Sequence, residues 1–467
     1  MTELSNTYPT DALQALDAKH HLHPFTDHGS LRQEGSRIIV KGDGVWLTDS
    51  DGNRIMDGMA GLWNVQVGHG REEIVDAVAA QMRELSYYNT FFKTTHPPVI
   101  ALSQKIAELA PEPYNQIFYV SSGSEANDTA LRLVRTYWDI KGKPQKKTII
   151  TRWNAYHGST VAGASLGGMK AMHAQGDLPI PGIHHIAQPY WFGEGGDMSP
   201  EEFGKHAAQA LADAIDAIGE DKVAAFMAEP IQGAGGVIIP PETYWPQIKH
   251  ILAERNILFV ADEVISGFGR LGEWFGSTVY DIEPDLISVA KGITSGYLPM
   301  GGVLVHDRVA QVIEHEGGEF FHGTTYAGHP ACAAAALANI EIMEREGVVA
   351  HVRDLAAPAF AQMFASLSDY PLVGEARTKG LLGALELVPG KYSSGKSARD
   401  RFPDEGTVGT IARDISLKNG LVMRAVRDSL ILSPPLVITS DEMEWLGARV
   451  RRVLDETGAE LKRRGLW

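Results

Sequence analysis

Seven short apolar runs are distributed through the middle of the chain, and amphipathic segments separate them. Several runs carry β-branched or aromatic residues at successive positions, as expected of strands that helices cover on both faces. Alternation of such strands with helical patterns is typical of an α/β sheet with crossover helices. The predicted strands are residues 116–120, 147–152, 184–187, 223–228, 257–261, 286–290 and 303–306.

Helical patterns fill the intervals between these runs. Apolar side chains recur there at spacings of three and four residues, which places them on one face of a helix. The predicted helices are residues 126–141, 207–218, 244–255, 330–345 and 441–464. Near the N-terminus, residues 38–40 and 45–49 flank a glycine-containing tetrapeptide and are predicted to form a hairpin.

The change of pattern along the chain indicates how it is divided. A chain of 467 residues is longer than one simple core requires, so two to three domains are expected. After about residue 330, an alanine-rich helix is followed by shorter mixed elements. We predict an N-terminal segment over residues 1–58 that joins the small domain, a large domain over 59–329 and a small α+β domain over 330–467.

The charge balance and the cysteine content limit the classes of function. A formal net charge of −16 disfavours nucleic acids and anionic membranes as partners, because both bind basic surfaces. Cys332 is the only cysteine, so no intrachain disulfide can form, which suits a reducing compartment. The N-terminus is polar, and no stretch approaches the roughly 20 apolar residues of a membrane helix. A cytoplasmic protein is therefore expected.

A loop of small residues lies between the first predicted strand and the helix that follows it. Its sequence is Ser121-Ser122-Gly123-Ser124-Glu125-Ala126-Asn127. Small side chains let backbone N–H groups approach an anion, and a helix N-terminus stabilises negative charge by about 0.3–1 kcal/mol. The loop is interpreted either as a phosphate site or as a plain N-cap formed by Ser122 or Ser124.

Two ionisable residues end later strands. Asp262 lies at the carboxyl end of an apolar strand, where α/β proteins bind their ligands. A buried aspartate needs a partner, which a protonated pyridine nitrogen can provide, and a structural turn cap is an equal alternative. Lys291 follows another apolar strand, so desolvation would lower the pKa of its amine and make the amine nucleophilic. The alternative for Lys291 is an amine that reaches solvent.

The order of this loop, Asp262 and Lys291 resembles that of the class III aminotransferases, which are fold-type-I pyridoxal-phosphate enzymes. The resemblance extends from His21 to the C-terminal helix. Its motifs are residues 60–63, 121–127, 153–159, 229–233, 262–270, 290–296 and 322–330. The resemblance implies a mainly parallel seven-stranded sheet flanked by helices, and pyridoxal 5′-phosphate bound to Lys291 as a Schiff base.

The resemblance also implies which side chains surround the cofactor. Lys291 and Asp262 would be the catalytic residues, with Asp262 paired to the pyridinium nitrogen. Glu229 would lie near this pair or form a structural ion pair. Thr325 would reach the phosphate of a neighbouring subunit, although Thr324 and Thr325 could equally be turn residues. A homodimer, or a dimer of such dimers, with sites at the interface follows from the phosphate role of Thr325. The implied cofactor residues are Ser122, Gly123, Ser124, Tyr156, His157, Glu229, Asp262, Ile265, Lys291 and Thr325.

The implied reaction moves an amino group from a primary amine or diamine to a keto acid, pyruvate. Ile265 and Arg424 resemble the ω-amine:pyruvate subgroup, and further stretches resemble its bacterial putrescine:pyruvate members. Arg424 would bind the keto-acid carboxylate bidentately. The implied amine pocket is lined by Trp63, Leu62 and Phe91. An aminomutase or decarboxylase that uses the same lysine is the alternative.

Three positions depart from the family pattern, of which Ser266, in place of a frequent cysteine or threonine, is the smallest change. Thr324 occupies a place where phenylalanine is common, and Arg427 occupies a place where glycine is common. A wider or more polar pocket is expected near Thr324. A second guanidinium near Arg424 could alter carboxylate binding.

Two further signals are assigned no function. Residues 267–272 fit G-x-G-x-x-G, but a poor helix start follows them, which argues against dinucleotide binding. His20, His21 and His23 could suggest a metal site, yet adjacent histidines point in different directions. A packed loop is expected there, and no metal ligand is predicted.

Overall fold

Fourteen strands form three sheets in the computed structural model, which describes residues 9–390 and 399–467. The first eight residues of the predicted N-terminal segment lie outside this description. The strands are β1 (Ile39–Asp43), β2 (Trp46–Asp49), β3 (Arg54–Met56), β4 (Gln116–Val120), β5 (Thr148–Arg152), β6 (Ile183–Ile186), β7 (Val223–Ala228), β8 (Leu258–Asp262), β9 (Leu286–Val289), β10 (Gly301–Val305), β11 (Val373–Lys379), β12 (Leu382–Leu387), β13 (Arg424–Val426) and β14 (Ser429–Leu432).

The central sheet has seven strands in the order β4-β10-β9-β8-β7-β5-β6. Neighbouring strands from β9 to β6 are parallel, whereas β10 runs antiparallel to both β9 and β4. The predicted α/β fold with a mainly parallel seven-stranded sheet is thus confirmed. Each predicted strand lies within two residues of an observed one, so the apolar runs located all seven.

Both faces of this sheet are covered by helices. Phe226 and Phe259 point to the face packed by helices Pro200–Ile218 and Tyr244–Glu254. Met227 and Val260, one residue further along, point to the opposite face, which helix Gly123–Ile140 covers. Alternation of this kind follows from the two-residue period of a strand. Complete burial of each such side chain stabilises the fold by about 1.5–3 kcal/mol.

Helix starts were the least accurate predictions. Helix Gly123–Ile140 begins three residues before the predicted start because Ser122 is its N-cap. Helix Pro200–Ile218 begins at a capping box of Ser199 and Glu202, well before residue 207. The remaining helices are Thr10–His20, His28–Glu34, Ala60–Trp63, Glu72–Glu84, Pro97–Leu109, Val161–Leu166, Lys170–Gly176, Trp191–Glu194, Tyr244–Glu254, Gly276–Val279, Asp307–Glu316, Pro330–Arg345, Val348–His351, Ala357–Ala365, Thr407–Lys418 and Ser440–Arg464, with a 3₁₀ turn at Lys291–Thr294 and a π turn at Val352–Ala356.

The two smaller sheets are antiparallel, in the orders β1-β2-β3 and β11-β12-β14-β13. The predicted N-terminal hairpin is present, but its turn is tighter than the expected tetrapeptide, since Asp43 pairs with Trp46. Helix Pro330–Arg345 packs against Glu72–Glu84 and Pro97–Leu109. The domain boundaries at residues 58 and 330 stay a prediction. In the described ranges, the helices lack the combined length and apolar character needed to cross a bilayer.

Candidate active site

Five segments that follow strands β4, β5, β7, β8 and β9 lie at the same edge of the central sheet. Parallel strands present their carboxyl ends together, and α/β proteins bind ligands there. Gly123, after β4, shows how closely the segments approach: a Cβ atom added to it would lie 2.9 Å from Val264 Cγ1 and 3.6 Å from the Ala290 side chain. The loop after β4 therefore adjoins the ends of β8 and β9, in agreement with the resemblance that groups these three motifs around one cofactor.

Lys291 begins the turn after β9. Its φ angle of 47° is left-handed, and Asn339 fixes the turn by donating to the carbonyl oxygens of Gly292 at 2.9 Å and Ile293 at 3.0 Å. The amine lies 5.2 Å from the centre of the Trp63 ring. Within residues 9–390 and 399–467 it has no hydrogen-bond or ion-pair partner. Burial is the main cause that lowers the pKa of this amine, against the raising effect of Asp262.

Asp262 is almost completely buried and is held by three donors. One carboxylate oxygen lies 2.7 Å from Asn127 Nδ2 and 2.7 Å from His157 Nδ1, and the other accepts from Val264 N–H at 3.1 Å. His157 thus contacts Asp262, and its contact with the cofactor stays a prediction. Asn127 was not predicted to be a partner of Asp262. Its only signal in the sequence was its position in the first turns of the helix after the serine loop.

The serine hydroxyls of the 121–124 loop have structural partners. Ser122 Oγ accepts from Glu125 N–H at 3.2 Å, so the N-cap interpretation is confirmed for this residue. Ser124 Oγ accepts from Ser159 N–H at 3.0 Å and ties the loop after β4 to the loop after β5. The N-terminal amides of this helix face the same sheet edge as Lys291. The role of Ser122, Gly123 and Ser124 at a phosphate stays a prediction.

Glu229 organises the loop after β5. Its carboxylate accepts from Tyr156 N–H at 3.1 Å and from Gly233 N–H at 2.9 Å, and it forms no salt bridge within the described chain. Burial raises the pKa of this carboxyl group. The side chains of Tyr156 and Ile265 belong to one apolar cluster with Trp63. Glu229 thus positions the backbone of Tyr156, a role the sequence did not reveal.

Arg424, on β13, enters the site from the C-terminal part of the chain. Its guanidinium carbon lies 5.1 Å from the centre of the Trp63 ring. Burial lowers the pKa of this side chain, and the described residues offer it no acidic partner. Leu62 precedes Trp63 and is 62% exposed. Lys291, Trp63 and Arg424 are therefore brought together as predicted, with Leu62 at the surface beside them.

Two predicted site residues, Phe91 and Thr325, belong to a second group. Phe91 lies against Gly323, and the carbonyl oxygen of Thr325 accepts from the Tyr87 hydroxyl at 2.7 Å. No hydrogen bond or ring contact of either residue in the described chain involves the segments around Lys291. Thr324 is adjacent, and its buried Oγ1 has no hydrogen-bond partner among the described atoms.

Arg427 does not accompany Arg424. It occupies the turn between β13 and β14 with a left-handed φ of 54°, which explains why glycine is common there. Its guanidinium donates to Gly235 O at 3.2 Å and lies 3.5 Å from the Glu405 carboxylate.

The packed loop expected at the three histidines is wrong, because His20 ends helix Thr10–His20 and both His20 and His21 are exposed. His21 and His23 both contact the Asp17 carboxylate, at 3.1 and 2.8 Å, and the three side chains lie close enough together to resemble a ligand set. The Asp17 carboxylate thus gives both imidazoles a hydrogen-bond partner. The G-x-G-x-x-G segment folds back on itself, with Phe268 N–H donating to Trp274 O at 2.6 Å, and does not begin a helix.

Comparisons with known proteins agree with this geometry. The family model for class III aminotransferases matches residues 30–454. The chain is 58% identical to the putrescine–pyruvate aminotransferase of Pseudomonas aeruginosa, over 96% of each chain. It is 41% identical to the diaminobutyrate–2-oxoglutarate transaminase of Halomonas elongata, over 100% of this chain and 99% of the relative. The ω-transaminase of Pseudomonas jessenii, solved in complex with PMP, superposes with a TM-score of 0.93 at 36% identity, over 96% of this chain and 99% of that one.

Proposed function

This chain belongs to the class III aminotransferases, which depend on pyridoxal phosphate, and we propose that it transfers the amino group of a primary amine or diamine to pyruvate. Arg424 carries the proposal. Its guanidinium is partly buried against Trp63 and has no acidic partner in the described chain. Such a cation suits a substrate carboxylate, which pyruvate has and a diamine lacks.

The residues around Lys291 fit the cofactor chemically. The unpartnered amine, the buried Asp262 carboxylate and the amide-rich helix start at Gly123 offer complementary groups to an aldehyde, a pyridine nitrogen and a phosphate. When bound, pyridoxal phosphate supplies an aldehyde carbon that exchanges amines and a ring that withdraws electrons from the substrate carbon.

Lys291 would hold the cofactor between turnovers and move a proton when its amine is free. Because burial favours the neutral amine, Lys291 is suited to accept a proton from the substrate carbon. Asp262, held by His157 and Asn127, would keep a proton on the pyridine nitrogen. Both donors contact the same oxygen of Asp262 and thereby fix the orientation of the carboxylate.

The remaining cofactor residues would hold the phosphate and border the ring. The backbone amides of Gly123 and Ser124 would bind the phosphate at the helix N-terminus. Tyr156 and Ile265 would border the flat ring, since both belong to the apolar cluster beside Trp63. Glu229 would act through Tyr156, whose amide it holds.

The substrate pocket must accept an amine and later a carboxylate. Trp63 and Leu62 would contact the carbon chain of the amine. This chain is apolar and needs no charged partner. Arg424 would bind the carboxylate of pyruvate at the same ring of Trp63. This arrangement supports transfer between unlike substrates in one pocket.

A panel of amines tests the proposed reaction. With pyruvate as acceptor, we expect the holoenzyme to convert putrescine, and also cadaverine and 1-phenylethylamine, with formation of one alanine per amine consumed. The expectation for putrescine comes from the Pseudomonas aeruginosa relative. Alanine and residual amine can be measured together by chromatography.

A matched acceptor serves as the control for this panel. The Halomonas elongata relative is named for 2-oxoglutarate, so the same amines should also be tested with that keto acid. Amine consumption without any amino acid product would support the aminomutase alternative, whereas a decarboxylase would leave these amines unconsumed because they carry no carboxylate. Faster turnover with 2-oxoglutarate would refute the pyruvate assignment.

A homodimer is supported by an exposed apolar surface formed by residues 87–92 and 320–326. Phe92 is 88% exposed and Phe321 is 78% exposed, and Tyr326 packs edge-on against Tyr87 at 6.0 Å. Contiguous exposed aromatic side chains mark an interaction surface. A second copy of this chain would cover them, and Thr325 and Phe91 would then reach the site of the other copy.

Substitution of Phe321 by aspartate is expected to dissociate this dimer. Burial of a new carboxylate without a partner would cost several kcal/mol, so the molar mass from light scattering should fall to that of one chain. Leu355→Asp changes another exposed apolar residue, 64% exposed and outside this surface, and should leave the mass unchanged. A wild-type chain that is monomeric at micromolar concentration would contradict the proposal.

We also propose a cytoplasmic location. The single, buried Cys332 supports it, because a reducing compartment suits an unpaired thiol. When the source cells are fractionated, we expect the enzyme in the soluble cytoplasmic fraction. Recovery of the enzyme in the exported or membrane fraction would contradict the proposal.

A further inference from the structure

The turn that carries Trp63 is built around a buried carboxylate. We propose that Asp57, supported by His69, is a positioning residue that fixes Trp63 relative to Arg424 and thereby sets the affinity of the pocket for both substrates. The inference rests on the proposed function for the roles of Trp63 and Arg424. Neither Asp57 nor His69 contacts the groups that would react.

The backbone of this turn is unusual. Ala60, Gly61 and Trp63 have left-handed φ angles of 46°, 63° and 62°. Each non-glycine residue in this conformation costs about 1–2 kcal/mol, so the surrounding structure must hold the turn. Without such support, the turn would relax and the indole of Trp63 would move.

Asp57 provides the support. Its two carboxylate oxygens accept from Gly61 N–H at 2.7 Å and from Met59 N–H at 3.3 Å. The oxygen that accepts from Gly61 also lies 2.9 Å from His69 Nε2. Asp57 is only 1% exposed, so these hydrogen bonds replace its lost hydration. A carboxylate is needed because every neighbour is a donor.

The same segment contacts the strand of Arg424. A Cβ atom on Gly58 would lie 2.5 Å from the carbonyl oxygen of Val422, two residues before Arg424. Gly58 O accepts from Ser433 N–H at 2.7 Å, and Val422 N–H donates to Met56 O at 2.9 Å. Asp57 therefore lies at the junction between the turn of Trp63 and the backbone that presents Arg424.

The consequence is a specific kinetic pattern. Displacement of Trp63 would weaken binding of both the amine and pyruvate, so the effect should appear in KM for both substrates more than in kcat. Asn339 holds the Lys291 turn, and Asn127 and His157 hold Asp262, so the spectrum should still show the lysine-linked cofactor even though the Trp63 ring lies 5.2 Å from the Lys291 amine. A residue needed only for folding would not separate these properties.

The decisive variant is Asp57→Asn in the holoenzyme. We expect KM for putrescine and for pyruvate each to rise by about tenfold or more, with kcat changed less than about threefold. Hydrogen exchange of the peptide covering residues 57–65 should become faster, and the visible spectrum should be unchanged. His69→Gln keeps a hydrogen-bond donor near Asp57, so this variant should keep the wild-type KM values. His69→Leu removes the donor and should raise both KM values, but less than Asp57→Asn does.

Asp285→Asn is the matched control. Asp285 is also buried and also accepts a backbone N–H, from Phe259 at 2.8 Å, but it lies at the opposite end of the strands. This variant should lower thermal stability without a change in either KM. If Asp57→Asn behaves like Asp285→Asn, or if exchange of residues 57–65 stays slow while KM changes, the inference is overturned. Absence of amine-to-pyruvate turnover in the wild type would instead refute the proposed function.

Discussion

Replacement of Lys291 by alanine is expected to abolish transamination. Turnover should fall by roughly 10⁴-fold or more, because in the proposed mechanism one side chain would both hold the cofactor and move the proton. The visible absorbance of the lysine-linked cofactor should disappear in the same variant. Steady-state turnover with pyruvate and an absorbance spectrum of the purified protein measure the two effects.

The pH dependence of cofactor capture provides a second measurement on Lys291. Burial, the largest cause, lowers the pKa of its amine from 10.5 to about 8, with Arg424 and Arg270 acting in the same direction and Asp262 and Glu229 opposing them. Only the neutral amine is nucleophilic, and it predominates above the pKa. The rate at which the apoenzyme binds pyridoxal phosphate should therefore rise with pH and level off above about pH 8. With an ordinary lysine, whose pKa is 10.5, the rate would continue to rise up to that pH.

Lys146→Ala is the matched control for Lys291→Ala. Lys146 is another buried lysine whose pKa is lowered mainly by burial, but its amine donates to Asn256 O at 2.8 Å, away from the site. Lys146→Ala should keep both the absorbance band and turnover. If Lys291→Ala retains the absorbance band, or more than about one hundredth of wild-type turnover, the proposed role of Lys291 is contradicted.

Replacement of Arg424 by alanine is expected to affect pyruvate far more than the amine. A charged hydrogen bond contributes about 1.5–3 kcal/mol, so loss of a bidentate pair should lower kcat/KM for pyruvate by roughly 100-fold or more. The amine carries no carboxylate, and its KM should change less than about threefold. Initial rates with each substrate varied separately measure the two constants.

Arg427→Ala is the control on the same hairpin. Its guanidinium faces Gly235 and Glu405, so its removal should leave the constants for pyruvate nearly unchanged. An equal effect of Arg424→Ala on pyruvate and on the amine would contradict carboxylate binding by Arg424. A large effect of Arg427→Ala on pyruvate would show that two guanidiniums share the task.

The central sheet was predicted well from the sequence, because strands that are buried on both faces appear as continuous apolar runs. Runs such as Val223–Ala228 are apolar at every position, and no solvated residue interrupts them. Helix starts were predicted less well, since Ser199 and Ser122 extend their helices beyond the apolar pattern. Caps of this kind are visible in sequence, but the apolar period alone does not include them.

The candidate site was predicted where chain order and chemistry were sufficient. Lys291 and Asp262 could be predicted together because the serine loop, Asp262 and Lys291 occur in the order that resembles the class III aminotransferases, whereas the strand-end position of each alone left alternatives open. Asn127 and Asp57 could not be predicted, since their importance depends on which distant donor or acceptor the fold brings within 3 Å or so. The conformation of Arg427 was likewise hidden until the hairpin defined its φ angle.

The hydrogen bonds that join Met56 and Gly58 to Val422 and Ser433 also bear on the order in which the enzyme is made. A ribosome adds about 5–20 residues per second, so the Trp63 turn emerges tens of seconds before the strand that completes it. The central sheet, which ends at Val305, can assemble during that interval. The proposed pocket for the two substrates is therefore completed only after β13 has emerged, well after the last strand of the central sheet.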